Sequence, residues 1–140
     1  LIVSSDDESE TTLCKEISAN DYDLAINFRL QESFTADGAF GFYPAFDENR
    51  QTPCFAFEKT NGAWNLIVKN HSESKNFELP DNFSLDVFRQ LRFVKKSDKI
   101  FLLLETETLG MIEAVPSSAR FALTVKNSAV AFDMIRLTVL

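Results

Sequence analysis

The chain has 140 residues and a net charge of −7, with fourteen phenylalanines but only four glycines and four prolines. This length suits a single domain, and the low glycine and proline content excludes a collagen-like or low-complexity chain. The acidic charge and the lack of lysine or arginine clusters among aromatic residues argue against a nucleic-acid partner, and no apolar run is long enough for a membrane-spanning helix.

The start of the chain differs in composition from the rest. Ser4–Glu10 is acidic and rich in serine, so residues 1–10 are expected to be a linker or an edge segment. The folded domain is expected over residues 11–140, starting with a short strand over Thr11–Ile17. Leu1–Val3 is too short for the apolar stretch of a signal peptide, and the sequence neither indicates nor excludes secretion.

Alternating apolar and polar residues predict two strands in the first third of the chain. The first has one buried and one wet face, and the residues of its buried face are Tyr22, Leu24, Ile26, Phe28 and Leu30. After a turn at Asp37-Gly38, Phe40 and Phe42 share one face of the second strand, and Gly41 and Tyr43 share the other. Pro44 indicates that this strand lies at an edge or carries a bulge.

Asn61-Gly62 is the strongest short hairpin signal in the sequence. A two-residue turn there places Phe57 opposite Leu66 on the face of the hairpin that is expected to be buried. Trp64 falls on the same face, which favours a core position or a lid over the hairpin for its ring.

A second hairpin is predicted to turn through Lys96–Lys99. Its expected core face consists of Leu91, Phe93, Ile100, Leu102 and Leu104. The opposite face holds Arg92, Val94, Phe101 and Leu103, and it is more apolar than a solvated sheet needs to be. This face is predicted either to dock against another domain or to be covered by loops of the same chain.

The end of the chain predicts a third hairpin, which joins Arg120–Val125 to Ala129–Val139 through Asn127-Ser128. In this hairpin Val125 would face Val130. The apolar alternation of the last strand shifts by one residue at Asp133, which predicts a β-bulge there. About ten or eleven strands with frequent turns predict an all-β fold, a two-sheet antiparallel sandwich.

These strands resemble, in order, those of the concanavalin A-like (laminin G-like) jelly-roll sandwiches that are appended to bacterial glycoside hydrolases. The resemblance rests on Asp21–Phe28, Asp37–Tyr43, Phe88–Lys95 with Asp98–Leu102, Ala119–Thr124 and Ala131–Ile135. The chain departs from the family pattern at three turns or strand ends. Ser97 replaces a usual glycine, Glu105–Glu107 replaces an Asp-Gly turn, and Arg89 stands where a histidine or similar polar residue is common.

The resemblance implies a non-catalytic accessory module of a carbohydrate-active enzyme, which binds a glycan or supports a neighbouring catalytic domain of the same polypeptide. It also implies an extracellular or periplasmic location. The alternatives are a purely structural interdomain or protein-interaction domain and a free-standing lectin-like protein. A glycosidase is the least favoured hypothesis, because the carboxylate run Glu-x-Asp-x-x-Glu of enzymes with this fold is absent. Glu105-x-Glu107 does not replace it.

Sugar binding calls for an aromatic platform and nearby polar groups, since sugars present C–H faces and paired hydroxyls. Tyr43 is the best platform in the sequence, with Asp47, Asn49 and Arg50 as its nearest polar partners and Trp64 as a further candidate.

No cofactor or metal is expected. Asp133 is the only candidate ligand for calcium, and the favoured interpretation is that this carboxylate accepts a hydrogen bond from the backbone at its own bulge. His71 has no second histidine or cysteine near it in the sequence. Cys14 and Cys54 are expected to be buried free thiols rather than a disulfide.

Overall fold

The computed structural model describes residues 1–5, 11–17, 19–33, 37–44, 54–70, 73–77, 79, 83–113 and 120–140. No helix in these ranges is long and apolar enough to cross a membrane. The described residues form strands joined by turns, and the strands are β1 (Ile2–Ser5), β2 (Thr11–Glu16), β3 (Tyr22–Ser33), β4 (Ala39–Tyr43), β5 (Cys54–Thr60), β6 (Ala63–Asn70), β7 (Glu73–Phe77), β8 (Arg89–Lys96), β9 (Lys99–Leu104), β10 (Glu107–Glu113), β11 (Arg120–Lys126) and β12 (Ser128–Val139).

The strands form two six-stranded sheets. Sheet A has the order β1-β12-β3-β8-β9-β10, and sheet B has the order β2-β11-β4-β5-β6-β7. All neighbouring strands are antiparallel. The predicted all-β, two-sheet antiparallel sandwich is therefore confirmed.

Phenylalanine rings from both sheets fill the space between them. Phe28 of sheet A lies at the centre, with its ring centroid 5.7 Å from Phe40, 5.5 Å from Phe42 and 5.3 Å from Phe57 of sheet B. All four side chains are 2% exposed or less. Because a Phe-to-Ala change in such a core costs about 3–5 kcal/mol, this cluster holds the two sheets together.

The two hairpins predicted at Asn61-Gly62 and at Lys96–Lys99 have the predicted register. Phe57 pairs with Leu66 and Lys59 pairs with Trp64 across the Asn61-Gly62 turn. Asn61 and Gly62 have φ angles of 52° and 79°, the left-handed values that such a tight turn requires.

The predicted pairing of β11 with β12 is wrong. β11 lies in sheet B between β2 and β4, whereas β12 lies in sheet A between β1 and β3. Val125 pairs with Phe40 and Thr11, not with Val130. The single residue Asn127, with a φ of 48°, turns the chain from one sheet into the other. Turn residues favour a change of direction, but they do not determine which strand becomes the partner.

The predicted bulge in β12 is confirmed. Phe132 pairs with Phe28 and Ile135 pairs with Ile26, so β12 has one more residue than β3 between these pairs. Asp133 is exposed at this irregularity. Beyond the bulge, Ile135 and Leu137 pair with buried residues of β3 but are themselves 39% and 40% exposed.

Residues 2–5 of the expected linker or edge segment form β1, which is an edge strand of sheet A. Ile2 pairs with Ala131 and Ser5 pairs with Ser128. Val3 and Ser5 are buried, which ties this segment to the sandwich. Residues 6–10 lie outside the described residues.

Candidate functional site

A groove of about 400 Å³ lies on the outer face of sheet B. Its floor is a row of small residues that the strand register brings side by side: Thr124 of β11 pairs with Gly41 of β4, and Gly41 pairs with Ala56 of β5. Large residues flank each of them along the strands but point inward, because side chains alternate between the faces of a sheet. The outer face is therefore hollow where these three residues meet.

Gly41 sets the depth of the floor. A Cβ atom at this position would lie 3.1 Å from Oγ1 of Thr124 and 3.3 Å from the carbonyl oxygen of Phe55. Both contacts are tighter than ordinary van der Waals contact, so glycine permits a close approach of the neighbouring strands. A larger residue would disturb the floor and reduce the space above it.

The sides of the groove are polar. Tyr43 lines one part of it, and Asp37 and Lys126 line another. Lys69 of β6 forms an ion pair with Glu58 of β5, and their side chains are 46% and 30% exposed. Hydrogen-bond donors, acceptors and one aromatic ring thus surround a floor of small residues.

The predicted sugar-binding residues fall into three groups. Tyr43 lines the groove. Trp64 lies on the opposite face of sheet B, where its ring centroid is 5.5 Å from that of the buried Phe40. This position assigns Trp64 to the core side of the sheet. Asp47, Asn49 and Arg50 lie outside the described residues.

Pro44 ends β4 rather than marking an edge strand. β4 lies inside sheet B between β11 and β5, and the strand stops at Tyr43. The expectation of an edge position was wrong because a proline that follows a strand removes no hydrogen bond from its ladder.

Tyr22 connects sheet A to the end of β4. Its side chain is 3% exposed, and its hydroxyl donates a hydrogen bond to the carbonyl oxygen of Pro44 over 3.1 Å. Burial disfavours the phenolate and raises the pKa of Tyr22 to about 12. This bond fixes the backbone next to Tyr43, and therefore helps to position the aromatic ring at the groove.

Sequence reasoning missed most of the groove. Ala56, Glu58, Lys69, Thr124 and Lys126 line it but were not predicted as site residues. Their outward direction can be inferred from strand alternation. Their proximity to Tyr43 cannot, because it depends on β11 lying next to β4, a neighbour far away in the sequence.

The outer face of sheet A carries the predicted apolar cluster. Val94 pairs with Phe101, and Arg92 pairs with Leu103, as the hairpin register required. Met111 of β10 pairs with Phe101 and is 50% exposed, which extends the cluster toward the edge of the sheet.

The guanidinium group of Arg92 is held by the Asp23 carboxylate at the border of this cluster. Two hydrogen bonds join them, one of which, from Nε to Oδ1, measures 3.2 Å. The hydrogen bond to Asp23 raises the pKa of Arg92 above its ordinary value. Arg92 therefore carries its charge at the edge of the patch while its partner holds it in place.

Neither cysteine forms a disulfide, as expected. Cys54 is buried and lines the groove, but Cys14 is exposed, so the expectation that both are buried was wrong for Cys14. Cys14 lies on β2 at the edge of sheet B, where β11 is its neighbour among the described strands.

The metal predictions remain predictions. The described residues contain no group of three or more histidine, cysteine, aspartate or glutamate side chains that could hold a metal ion. Asp133 is among the residues that were searched, whereas His71 lies outside them.

No protein-family model matches the chain, and no curated protein sequence matches it. Solved structures with a similar fold do exist. The carbohydrate-binding module CBM66 from Bacillus subtilis superposes with a TM-score of 0.62 at 8% identity, over 97% of this chain and 84% of that one.

Two further similar structures belong to other kinds of protein. A tetrameric galectin from the ball sponge Cinachyrella sp. gives a TM-score of 0.67 at 8% identity, over 91% of this chain and 99% of that one. An alginate lyase from Corynebacterium sp. gives 0.66 at 12% identity, over 90% of this chain and 61% of that one. At these identities the similarity is one of fold, and the chain is a concanavalin A-like jelly-roll sandwich.

Proposed function

We propose that this domain binds glycan in the groove of sheet B and does not act on it chemically. The observation that carries the proposal is the groove itself, where Tyr43 and polar side chains surround a floor of Gly41, Ala56 and Thr124. The similar fold of a carbohydrate-binding module supports it.

The chemistry of the groove suits a sugar. The ring of Tyr43 can pack against the C–H face of a pyranose or furanose, and the neighbouring charged groups can bind its hydroxyls. Glu58 supplies acceptors and Lys69 supplies donors, and their ion pair already holds both side chains in place. Because the floor is small and uncharged, a ring can approach the backbone of the sheet closely.

A binding role is favoured over a catalytic one by the state of Glu58, a carboxylate of the groove. Glycoside hydrolysis requires two carboxyl groups that flank the same bond, one of which must donate a proton. Glu58 is instead engaged by the ammonium group of Lys69, an arrangement suited to hydrogen bonding. We therefore expect no hydrolysis of any glycan that the domain retains.

Substitutions on the groove floor and wall test the proposal. Affinity electrophoresis through gels that contain soluble galactan, xylan, levan or alginate should show retardation of the unaltered domain by at least one of them. Ala56→Leu fills the floor and Tyr43→Ala removes the platform, so each should reduce the retardation by about tenfold or more in affinity.

Two controls accompany these variants. Tyr43→Phe keeps the ring and should retain most of the binding, and Thr108→Ala alters an exposed residue of sheet A and should change nothing. All variants should give the circular dichroism spectrum of the unaltered domain. Retention that survives both Ala56→Leu and Tyr43→Ala would show that the groove is not the glycan site.

Asp47, Asn49 and Arg50 are part of the proposal on sequence grounds, since they follow Tyr43 closely in the chain. Amide, carboxylate and guanidinium groups are the polar partners that sugar hydroxyls require. Replacement of all three by alanine should weaken retention without affecting the stability of the domain.

A second candidate function is docking of sheet A onto a catalytic domain of the same polypeptide. The observation that favours it is the continuity of Val94, Phe101 and Leu103 with the half-exposed Met111 on one outer face. In this case Phe101→Asp should weaken association with that domain, while Tyr43→Ala should leave it unchanged. Unaltered association of Phe101→Asp would remove this candidate.

A further inference from the structure

A second polar pocket, separate from the groove, lies at one end of sheet A. It has a volume of about 290 Å³ and is lined by Asn27, Phe88, Arg89, Gln90 and Glu105. None of these residues lines the groove of sheet B. β3, β8 with the residue before it, and the turn after β9 supply the lining, so the pocket belongs to sheet A.

Two amide side chains form one side of this pocket. Asn27 of β3 pairs with Gln90 of β8 in the strand register, and Nε2 of Gln90 donates a hydrogen bond to Oδ1 of Asn27 over 3.2 Å. This bond leaves the amide protons of Asn27 and the amide oxygen of Gln90 for another partner. A donor and an acceptor therefore stand side by side in a fixed geometry, as recognition of two neighbouring hydroxyls requires.

An arginine and a glutamate form another side. Nη1 of Arg89 lies 3.7 Å from Oε1 of Glu105. Arg89 is itself fixed in two ways: Nε donates a hydrogen bond to the carbonyl oxygen of Ser84 over 2.7 Å, and the guanidinium group lies 4.5 Å from the ring centroid of Phe83. The cation is thus held in place, and its charge is balanced by the carboxylate.

Glu105 occupies a backbone conformation that favours glycine. Its φ angle is 55°, and its N–H donates a hydrogen bond to the carbonyl oxygen of Gln90 over 2.9 Å. A left-handed conformation is unfavourable for a non-glycine residue, and such residues are often found at functional sites. Arg89 and Glu105 line the same pocket.

An aromatic ring completes the lining. Phe88 is 45% exposed, and the guanidinium carbon of Arg29 lies 4.9 Å from its ring centroid. The contact with Arg29 orients the ring while much of the side chain remains accessible. An exposed, oriented aromatic surface beside fixed polar groups is a typical arrangement for an uncharged ring that bears hydroxyl groups.

We propose that this pocket is a second carbohydrate site, which takes a single neutral sugar unit. The C–H face of the sugar would pack on Phe88, and its hydroxyls would bind the amides of Asn27 and Gln90 and the carboxylate of Glu105. A neutral ligand is favoured because Arg89 and Glu105 balance each other's charge. The site does not depend on the groove, and a chain with both would bind glycan on two opposite faces.

Titration of the ¹⁵N-labelled chain with methyl glycosides of glucose, galactose, mannose and fructose, followed by NMR, tests this proposal. We expect at least one of them, at millimolar concentration, to shift the side-chain amide resonances of Asn27 and Gln90. The side-chain amide of Asn65 on sheet B, which donates to the carbonyl oxygen of Ala63 over 3.3 Å, is an internal reference.

Variants of the pocket distinguish the two sites. Gln90→Met keeps the side-chain length but removes the amide, and it should weaken the binding that shifts Asn27 by about tenfold. Phe88→Ala should have a similar effect, whereas Ala56→Leu in the groove should have none. Gln90→Leu offers a second test of the same loss if the methionine variant does not fold.

The outcomes separate this proposal from the groove. Shifts at Asn27 and Gln90 in the unaltered chain, together with loss of the Asn27 shift in Gln90→Met, would support the second site, even if the groove residues show none. Shifts confined to groove residues such as Gly41 would overturn the second site and leave the groove proposal standing. An absence of shifts at Asn27 and Gln90 with all four glycosides would also overturn the proposal.

Discussion

At the scale of single residues, Ser97 has a left-handed backbone conformation that favours glycine, although it carries a side chain. This residue closes the β8–β9 hairpin with a φ of 54°. Its N–H donates a hydrogen bond to the Asp21 carboxylate over 2.8 Å, and its carbonyl oxygen accepts one from Nζ of Lys95 over 2.9 Å. Both bonds use the backbone, so any residue at this position can make them, and glycine makes them without steric strain.

Ser97→Gly should therefore stabilise the domain. Release of the left-handed strain outweighs the extra freedom that glycine gives to the unfolded chain, and the net gain should be about 0.5–1 kcal/mol in the free energy of unfolding. Urea denaturation measures this difference. The matched control is Ser74→Gly on β7, where the same change should destabilise because no such strain exists. Equal effects at the two positions would contradict the explanation.

The buried hydroxyl of Tyr22 predicts a loss of stability at high pH. Its pKa of about 12 in the folded protein exceeds the ordinary value of 10.0. The stabilisation is fully present below about pH 10 and is lost as the pH rises toward 12, with a total near 3 kcal/mol. Denaturation at several pH values between 9 and 12 should show this decline.

Tyr22→Phe is the control for that experiment. It removes the titrating group together with the hydrogen bond to Pro44, so the variant should be less stable at neutral pH but lose less stability between pH 10 and 12. A decline of equal size in both proteins would mean that other groups cause it.

At the scale of elements, the edge strands β7 and β10 meet across the open side of the sandwich. A Cβ atom added at Gly110 of β10 would lie 2.6 Å from Cζ of Phe77 of β7. The register of β10 with β9 also shifts between Thr108 and Gly110. Glycine thus allows the ring of one sheet to rest on the backbone of the other.

Gly110→Ala should destabilise the domain by about 1–3 kcal/mol, because the ring must move away from a close contact. In the background of Phe77→Leu the same substitution should cost clearly less, since the shorter side chain leaves room. A double-mutant cycle by thermal denaturation measures this coupling. Thr108→Ala, on the same strand, should be nearly neutral, and additive costs for Gly110→Ala and Phe77→Leu would exclude the contact as the cause.

Elements also differ in how well the sequence predicts them. Asn61-Gly62 determines its hairpin locally, because the turn fixes the register of the strands on both sides. The bulge in β12 was likewise predictable from the sequence, since the apolar alternation shifts at Asp133. Asn127 carries a similar turn signal but directs the chain into the other sheet, and only the competition among distant strands decides between these outcomes.

At the scale of the whole molecule, the sandwich and its buried faces were predictable, whereas most residues of the two candidate sites were not. The groove needs Thr124 beside Gly41, and the second pocket needs Glu105 beside Arg89 and Asn27. Such neighbours come from the order of strands in the sheets, which local patterns do not encode. Tyr43, which lines the groove, was predicted as a candidate because an aromatic residue between small ones is visible in the sequence alone.

The order of the strands also bears on how the protein forms. β11 inserts between β2 and β4, and β12 inserts between β1 and β3, so the last strands of the chain complete sheets that the first strands begin. Sheet B therefore cannot close before β11 has left the ribosome, and sheet A cannot close before β12 has. We expect refolding in milliseconds to seconds, the range of folds dominated by distant pairings, and no cooperative unfolding transition for a chain that stops at Asn127. During that interval the phenylalanine-rich inner faces are exposed to water, and yield in the cell should depend on how quickly they are covered.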